Sequence, residues 1–213
     1  MRRNSRTVPL ALLAFLLSIP GVAAQAAEDR PKDASFEKRL GASEGGWRSF
    51  GGTVSTKKAR SGTHSMANFT PRGTSGSYQE FPAQPGSRWR LAGYGLAPAK
   101  LKGASAFGIV QLTFFDAAGK DLGTVETAGN KYPALASNRI EAGSPANEWI
   151  LLDTGVGTAP PGTATIQVFT LYVDYPAALH GAPLAATSYQ GVYFDDLKLC
   201  ELSPDDDGSS CKP

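Results

Sequence analysis

The stretch TIQVFTLY, at residues 165–172, decides the fold class of this chain. Ile166 and Val168 alternate with Gln167 and Phe169, which is the period of a strand with one face in a core. Similar segments, bounded by Gly, Pro, Ser and Asn, are predicted as strands at 52–59, 64–70, 77–83, 87–97, 107–116, 121–127, 148–155, 163–174 and 190–199. No long amphipathic helical pattern occurs between residues 33 and 202, so the sequence predicts an all-β fold, an antiparallel β-sandwich.

The connections between the predicted strands are of two kinds. Residues 117–119 are typical of a hairpin loop, and residues 160–162 of a turn before the next strand. Two connections, 128–147 and 175–189, are longer than a hairpin needs. Loops of this length often carry binding function, but they can equally be decoration.

The first residues predict export. Residues 1–26 combine an arginine-rich start, an apolar run at 8–19 and small residues at Ala24 and Ala26, which is typical of a signal peptide. This run is too short to cross a bilayer, so we expect a secreted or periplasmic protein without membrane insertion. The leader holds three of the 21 basic residues and none of the 19 acidic ones, leaving 18 basic against 19 acidic. This balance offers no basic surplus for binding nucleic acid.

Two cysteines, Cys200 and Cys211, lie near the end of the chain. In an exported protein they are expected to form a disulfide. We therefore predict one domain at 27–202 and an acidic tail at 203–213 that the disulfide holds against the last strand.

The last predicted strand, GVYFDDLKLCEL at 191–202, carries an unusual pair of carboxylates, Asp195 and Asp196. A catalytic pair, a metal site and a solvent-facing bend are the alternatives. Adjacent residues of a strand point to opposite sides, whereas the carboxylates of a retaining glycosidase face each other from separate elements. The only histidines, His64 and His180, lack metal-ligand spacing, and no common catalytic motif is present.

Period-two counting also separates the predicted core from an outer face. Aromatic rings stack on the apolar faces of sugars, and polar groups beside them bind hydroxyls. The predicted ligand-binding residues are Arg90, Tyr94, Gln111, Phe115, Gln167, Phe169 and Tyr193. Two alternatives stay open: the long loops can cover Phe115 and Phe169, and the loop residues Tyr132, Tyr175 and Tyr189 can form the platform instead.

Several short motifs occur in a familiar order: SFE, GW, ARSGTHSM, PGSRWRLAGYG, LTFFDAAGK, TAPPGTATIQV and GVYFDDLKL. Together they resemble the jelly-roll carbohydrate-binding modules of the family 4, 9 and 22 type, within the galactose-binding-like folds, over roughly residues 33–202. The resemblance implies a jelly roll, a polysaccharide or glycan partner, and a structural calcium ion that joins the first strand, a small turn and the last strand. Carried over by position, the calcium ligands are Ser35, Glu37, Ser61, His64 and Asp195.

The expected function is therefore non-catalytic binding of carbohydrate. One alternative is a small jelly-roll polysaccharide lyase or hydrolase, which would recruit His180 together with Arg90, Tyr94 and Gln111. Another is a structural, protein-binding component of the cell envelope.

Overall fold

The computed structural model describes residues 30–38, 40, 46–71, 73–103, 105–123, 125–127, 130–132, 134–174 and 189–213. The predicted leader lies outside these residues. The strands are β1 (Arg48–Phe50), β2 (Gly52–Ser55), β3 (Ser65–Thr70), β4 (Gly73–Pro82), β5 (Arg88–Leu96), β6 (Ala106–Phe115), β7 (Val125–Thr127), β8 (Asn130–Tyr132), β9 (Leu135–Ala136), β10 (Ile150–Thr158), β11 (Thr165–Asp174) and β12 (Gln190–Leu202). Within this part of the chain, no helix is long and apolar enough to cross a membrane.

The strands form two five-stranded antiparallel sheets. Sheet A has the order β1-β4-β11-β6-β9, and sheet B has the order β10-β5-β12-β3-β2. The hairpin β7-β8 forms a separate two-stranded sheet. The two sheets pack face to face, as in a sandwich. The predicted all-β antiparallel sandwich is confirmed.

The core between the sheets comes from the alternation seen in the sequence. In sheet A, Val110, Leu112 and Phe114 of β6 are buried together with Ile166 and Val168 of β11. Sheet B contributes the residues Trp89, Leu91, Val192 and Phe194 from β5 and β12 to the same cluster. Because successive residues point to opposite faces, the residues between these positions must lie on the outer faces of the two sheets.

The sequence also predicts that the segment DASFEKRL, at 33–40, begins the first strand of the domain, and this prediction is wrong for its described residues. The described part of this segment is a turn, in which Asp33 and Phe36 have φ angles of 51° and 57°. The Asp33 carboxylate accepts hydrogen bonds from the backbone N–H groups of Glu37 and Lys38, at 2.8 and 3.0 Å. An Asp that binds backbone donors a few residues ahead favours a turn over a strand. The turn lets Phe36 enter the core, where it is fully buried.

The predicted turns and the disulfide are confirmed. Gly119 and Gly162 adopt the left-handed conformation that the two turns require, with φ angles of 77° and 87°. Cys200 and Cys211 are bonded, with their Cα atoms 5.9 Å apart.

The tail that follows β12 packs on the outer face of sheet B. Arg88 donates hydrogen bonds to three backbone carbonyls of the tail, and Arg90 donates to the carbonyl of Gly208 at 2.7 Å. Cys211 is fully buried. The disulfide and these two guanidinium groups hold the tail against sheet B.

Candidate functional site

Three of the seven predicted ligand-binding residues lie on the outer face of sheet B, and each contacts other parts of the chain. Arg90 donates to the Asp153 carboxylate and to the tail. Tyr94 lies beneath the guanidinium of Arg60, whose central carbon is 3.5 Å from the ring centroid. Tyr193 is only 6 % exposed. These contacts leave little of the three side chains for a ligand.

The other four predicted residues lie on the outer face of sheet A. Gln111 and Phe115 belong to β6, and Gln167 and Phe169 belong to β11. The prediction of one shared outer face is therefore corrected, because a sandwich has two outer faces that point in opposite directions. Period-two counting shows which side of a strand a residue occupies, but not to which sheet the strand belongs.

The outer face of sheet A carries a row of three aromatic rings. Phe169 is the register partner of Tyr78 in β4, and their ring centroids are 5.5 Å apart with an angle of 29° between the planes. Phe50 of β1 follows at 6.4 Å from Tyr78, with an angle of 44°. The row crosses strands β1, β4 and β11, and its end residue Phe50 is 42 % exposed. We call this surface, with the polar groups beside it, the aromatic face.

Polar side chains flank the aromatic row. Gln111 is the register partner of Phe169 and donates to the Thr113 hydroxyl at 3.1 Å. Gln167, two residues before Phe169 in β11, donates to the Glu80 carboxylate at 2.8 Å. An amide both donates and accepts hydrogen bonds, so these groups can bind the hydroxyls of a sugar whose ring lies on the aromatic row.

Sequence reasoning missed Phe50, Tyr78 and Glu80. Tyr78 and Glu80 alternate with Gln79, which is 3 % exposed and faces the core. A polar residue at a core position hides the alternation that would have revealed the outer side. Phe50 lies in a three-residue strand that the sequence does not mark by any repeated pattern.

The alternative platforms in the long loops are only partly described. Tyr175 and the side chain of Tyr132 lie outside the described residues. Tyr189 is 69 % exposed and stacks on Phe69 at 5.8 Å. Phe69 packs with Tyr193, so this pair lies on the sheet B side, away from the aromatic face.

The predicted calcium ligands form two hydrogen-bond clusters instead of one shell of free oxygens. In the first cluster, Glu37 accepts from the N–H groups of Thr63 and His64 at 2.9 and 3.0 Å. Its second oxygen accepts from the Thr63 hydroxyl and contacts His64 Nδ1, at 2.9 and 3.0 Å. Both oxygens of this carboxylate therefore already have two partners each.

The second cluster surrounds the two adjacent aspartates of β12. Asp195 is fully buried and accepts from the N–H groups of Arg60, Ser61 and Asp196, at 2.7, 3.3 and 2.8 Å. Asp196 accepts from the hydroxyls of Ser35 and Ser61, and its other oxygen pairs with the Arg60 guanidinium. The pair stands at a bulge, since Asp196 has a φ of 47° and the pairing of β12 with β5 shifts between residues 195 and 198.

Together the two clusters do not fit a calcium ion. Calcium takes six to eight oxygen ligands, whereas N–H and guanidinium donors point at these carboxylates. Among the described residues, no group of three or more His, Cys, Asp and Glu side chains is placed to hold a metal. The calcium ion therefore stays a prediction that these contacts do not support.

The hydrogen bonds in the two clusters affect the acids differently. Burial raises the pKa of Asp195 to about 6, in spite of its backbone donors. Burial also raises the pKa of Asp196, but the hydrogen bonds from Ser61 and Arg60 outweigh this and lower it overall. For Glu37, hydrogen bonds from His64 and Thr63 outweigh the effect of burial and hold the pKa at about 2.

The residues of the lyase alternative are not brought together. Arg90 and Tyr94 lie on the outer face of sheet B, and Gln111 lies on the outer face of sheet A. The core of the sandwich separates them. His180 lies outside the described residues.

Comparison with known proteins adds evidence on the fold. No protein-family model and no curated protein sequence matches the chain. The structure is similar to the CBM22-1 xylan-binding domain of Paenibacillus barcinonensis Xyn10C, with 15 % identity over 80 % of this chain and 92 % of that chain and a TM-score of 0.50.

A second similar structure is the CBM22-1–GH10 part of the Clostridium thermocellum xylanase 10B complexed with xylohexaose. The identity is 18 % over 80 % of this chain and 28 % of that chain, and the TM-score is 0.51. At these identities the comparison shows the fold alone, a β-sandwich of the jelly-roll type.

Proposed function

We propose that this protein is an exported, non-catalytic carbohydrate-binding module that holds a polysaccharide on the aromatic face. The observation that carries the proposal is the row of Phe50, Tyr78 and Phe169 across sheet A, with amide and carboxylate groups beside it. Aromatic rings offer large apolar surfaces, and a few placed polar groups give orientation and specificity. The two similar domains, one named for xylan and one solved with xylohexaose, agree with this choice of ligand class.

The direction of the aromatic row indicates how a polysaccharide would lie. The rings come from three neighbouring strands, with centroid separations of 6.4 and 5.5 Å. A bound chain would therefore run across the strands and place successive sugars on successive rings. A linear chain of several sugars fits this arrangement better than a single sugar does.

The charges beside the row favour a neutral polysaccharide. Arg48 of β1 is exposed and is the register partner of Tyr78. Glu80 lies two residues further along β4 and is also exposed. These two formal charges cancel, so the immediate surroundings of the aromatic row have no surplus that would select an anionic glycan.

The same face supports a binding role without catalysis. Glycoside hydrolysis by the usual mechanism needs two carboxyl groups on opposite sides of the scissile bond. In the described part of β4, β6 and β11, Glu80 is the only outward-facing carboxyl group that lies beside the rings. Its partner is the amide of Gln167.

Export, to the periplasm or the medium, is supported by the disulfide. Bonds such as Cys200–Cys211 persist in oxidising compartments and are rare in the cytoplasm. The signal-peptide pattern of residues 1–26 points to the same compartment.

Affinity gel electrophoresis tests the proposal. The purified protein would be run through native gels that contain xylan, other neutral β-linked polysaccharides, or anionic polygalacturonate. We expect at least one neutral polysaccharide to retard the protein and polygalacturonate to have no such effect. No retardation by any neutral polysaccharide would overturn the binding proposal. Release of reducing ends during incubation would overturn its non-catalytic part.

A further inference from the structure

Arg60 occupies a central position between segments that are far apart in the sequence. Its guanidinium lies over the ring of Tyr94 in β5 and pairs with the carboxylate of Asp196 in β12. Its backbone N–H donates to Asp195 at 2.7 Å. The side chains of Arg60 and Asp196 are 35 % and 13 % exposed, so the ion pair is partly shielded from water.

The surrounding hydrogen bonds extend this connection to the N-terminal segment. The hydroxyl of Ser35 donates to Asp196 at 2.8 Å, and the hydroxyl of Ser61 donates to the same oxygen. The backbone N–H of Leu197 donates to the carbonyl of Ala34 at 3.0 Å. These contacts thus join three parts of the chain at one point: the turn between β2 and β3 that contains Arg60, strand β12, and the segment at 30–38.

A bound metal ion joins separate segments in the same way, by drawing carboxylates and other oxygens around one positive charge. Here the positive charge is the guanidinium, and the donors that complete the site are N–H and O–H groups. A calcium ion placed beside Asp196 would meet the charge of Arg60 at close range and be repelled. Metal and guanidinium therefore exclude each other at this site.

We infer that Arg60 supplies the positive charge that the resembled carbohydrate-binding modules take from calcium, and that the stability of this protein does not depend on calcium. Three carboxylates lie near the turn that contains Arg60. Glu37 belongs to the N-terminal segment at 30–38, and Asp195 and Asp196 belong to β12. In each of them both oxygens accept a hydrogen bond from a protein donor without a metal.

The test measures thermal unfolding, which is independent of glycan binding. The purified protein would be melted with excess calcium and with chelator, and calcium would be titrated into chelator-treated protein by calorimetry. We expect the two Tm values to agree within about 1 °C and the titration to give no binding heat. A Tm that rises by several degrees in calcium, or a stoichiometric binding heat, would refute the inference.

Variants test the role of the charge itself. Arg60→Gln keeps a long polar side chain but removes the charge, and we expect Tm to fall by roughly 4–10 °C, because the carboxylate of Asp196 loses its partner. Arg60→Lys keeps the charge and should lose clearly less. The matched control is Arg139→Gln, since Arg139 also lies over a ring, that of Phe107 at 4.3 Å, but makes no ion pair with a described residue.

We expect the control to change Tm by no more than about 2 °C, which is the range of an ordinary surface substitution. If Arg60→Gln is no less stable than the control, the ion pair does not hold the segments together. If Arg60→Lys and Arg60→Gln lose stability equally, the side chain acts by packing rather than by charge. Either result would overturn the assignment.

Discussion

Removing the ring of Phe50 should weaken polysaccharide binding without unfolding the protein. Phe50 is 42 % exposed at the end of the aromatic row. Aromatic side chains bury roughly 150–250 Å² when fully covered, so about 60–100 Å² of this residue is free to contact a sugar. At about 25 cal/mol per Å², covering that area contributes at most about 1.5–2.5 kcal/mol. We therefore expect Phe50→Ala to raise the Kd by up to roughly 10- to 60-fold.

The assay is isothermal titration calorimetry with the polysaccharide that retards the protein most strongly. Tm should change by only a few degrees, because the side chain lies on the surface of the edge strand β1. Tyr189→Ala is the matched control, since it removes a ring that is 69 % exposed on the sheet B side. If Phe50→Ala and Tyr189→Ala have equal Kd values, the aromatic face is not the binding site.

Three further predictions concern Gly76 beside the aromatic row, the disulfide of the tail, and the ion pair between Arg90 and Asp153. In Gly76→Ala the new Cβ would lie 2.4 Å from Phe50 Cζ and 2.7 Å from Leu171 Cδ2, so both side chains must move, and calorimetry should show weaker binding. Cys211→Ser removes a cross-link worth at most about 3 kcal/mol; Tm should fall by several degrees in a thermal melt. Burial raises the pKa of Asp153, but hydrogen bonds from Arg90 and Gly155 outweigh this and lower it. Asp153→Asn should therefore have a lower Tm than the wild type at neutral pH. In thermal melts this difference in Tm should shrink below about pH 4, where the wild-type carboxylate becomes protonated.

Each of these predictions has an outcome that contradicts it. An unchanged affinity of Gly76→Ala for the polysaccharide would mean that Phe50 is not part of the binding site. A Tm of Cys211→Ser equal to that of the wild type would mean that the arginine contacts alone hold the tail. A constant difference between Asp153→Asn and the wild type from pH 7 to pH 3 would show that the Arg90 pair does not titrate as the structure indicates.

The strands of the core could be predicted because their signal is local. In β6 and β11 every second residue is apolar, and burial of one face follows directly from that pattern. Strand β4 has the same geometry, but Ser75, Ser77 and Gln79 face the core, so its outer residues could not be recognised by contrast. Of the three residues in the aromatic row, the sequence therefore predicted only Phe169.

The surroundings of Asp195 and Asp196 could not be predicted, because their partners are far away in the sequence. Arg60 and Asp196 are 136 positions apart, and Ser35 and Asp196 are 161 positions apart. The sequence showed that two carboxylates in a strand need neutralising groups, but only the fold shows that backbone donors and one guanidinium provide them. The strand does bend at the Asp196 bulge, but it is not the solvent-facing bend of the third alternative, since Asp195 is fully buried and the Asp196 side chain is only 13 % exposed.

The alternation of inward and outward residues along β11 also separates positions where substitutions affect the core from positions where they affect the surface. Ile166 and Val168 contact only the interior, whereas Gln167 and Phe169 lie on the surface of the same strand. Under the proposed binding role, substitutions at the outer positions can alter which polymer is held while the interior stays intact. A library limited to the outer positions of β4, β6 and β11 is therefore a practical route to altered binding that leaves the core residues unchanged.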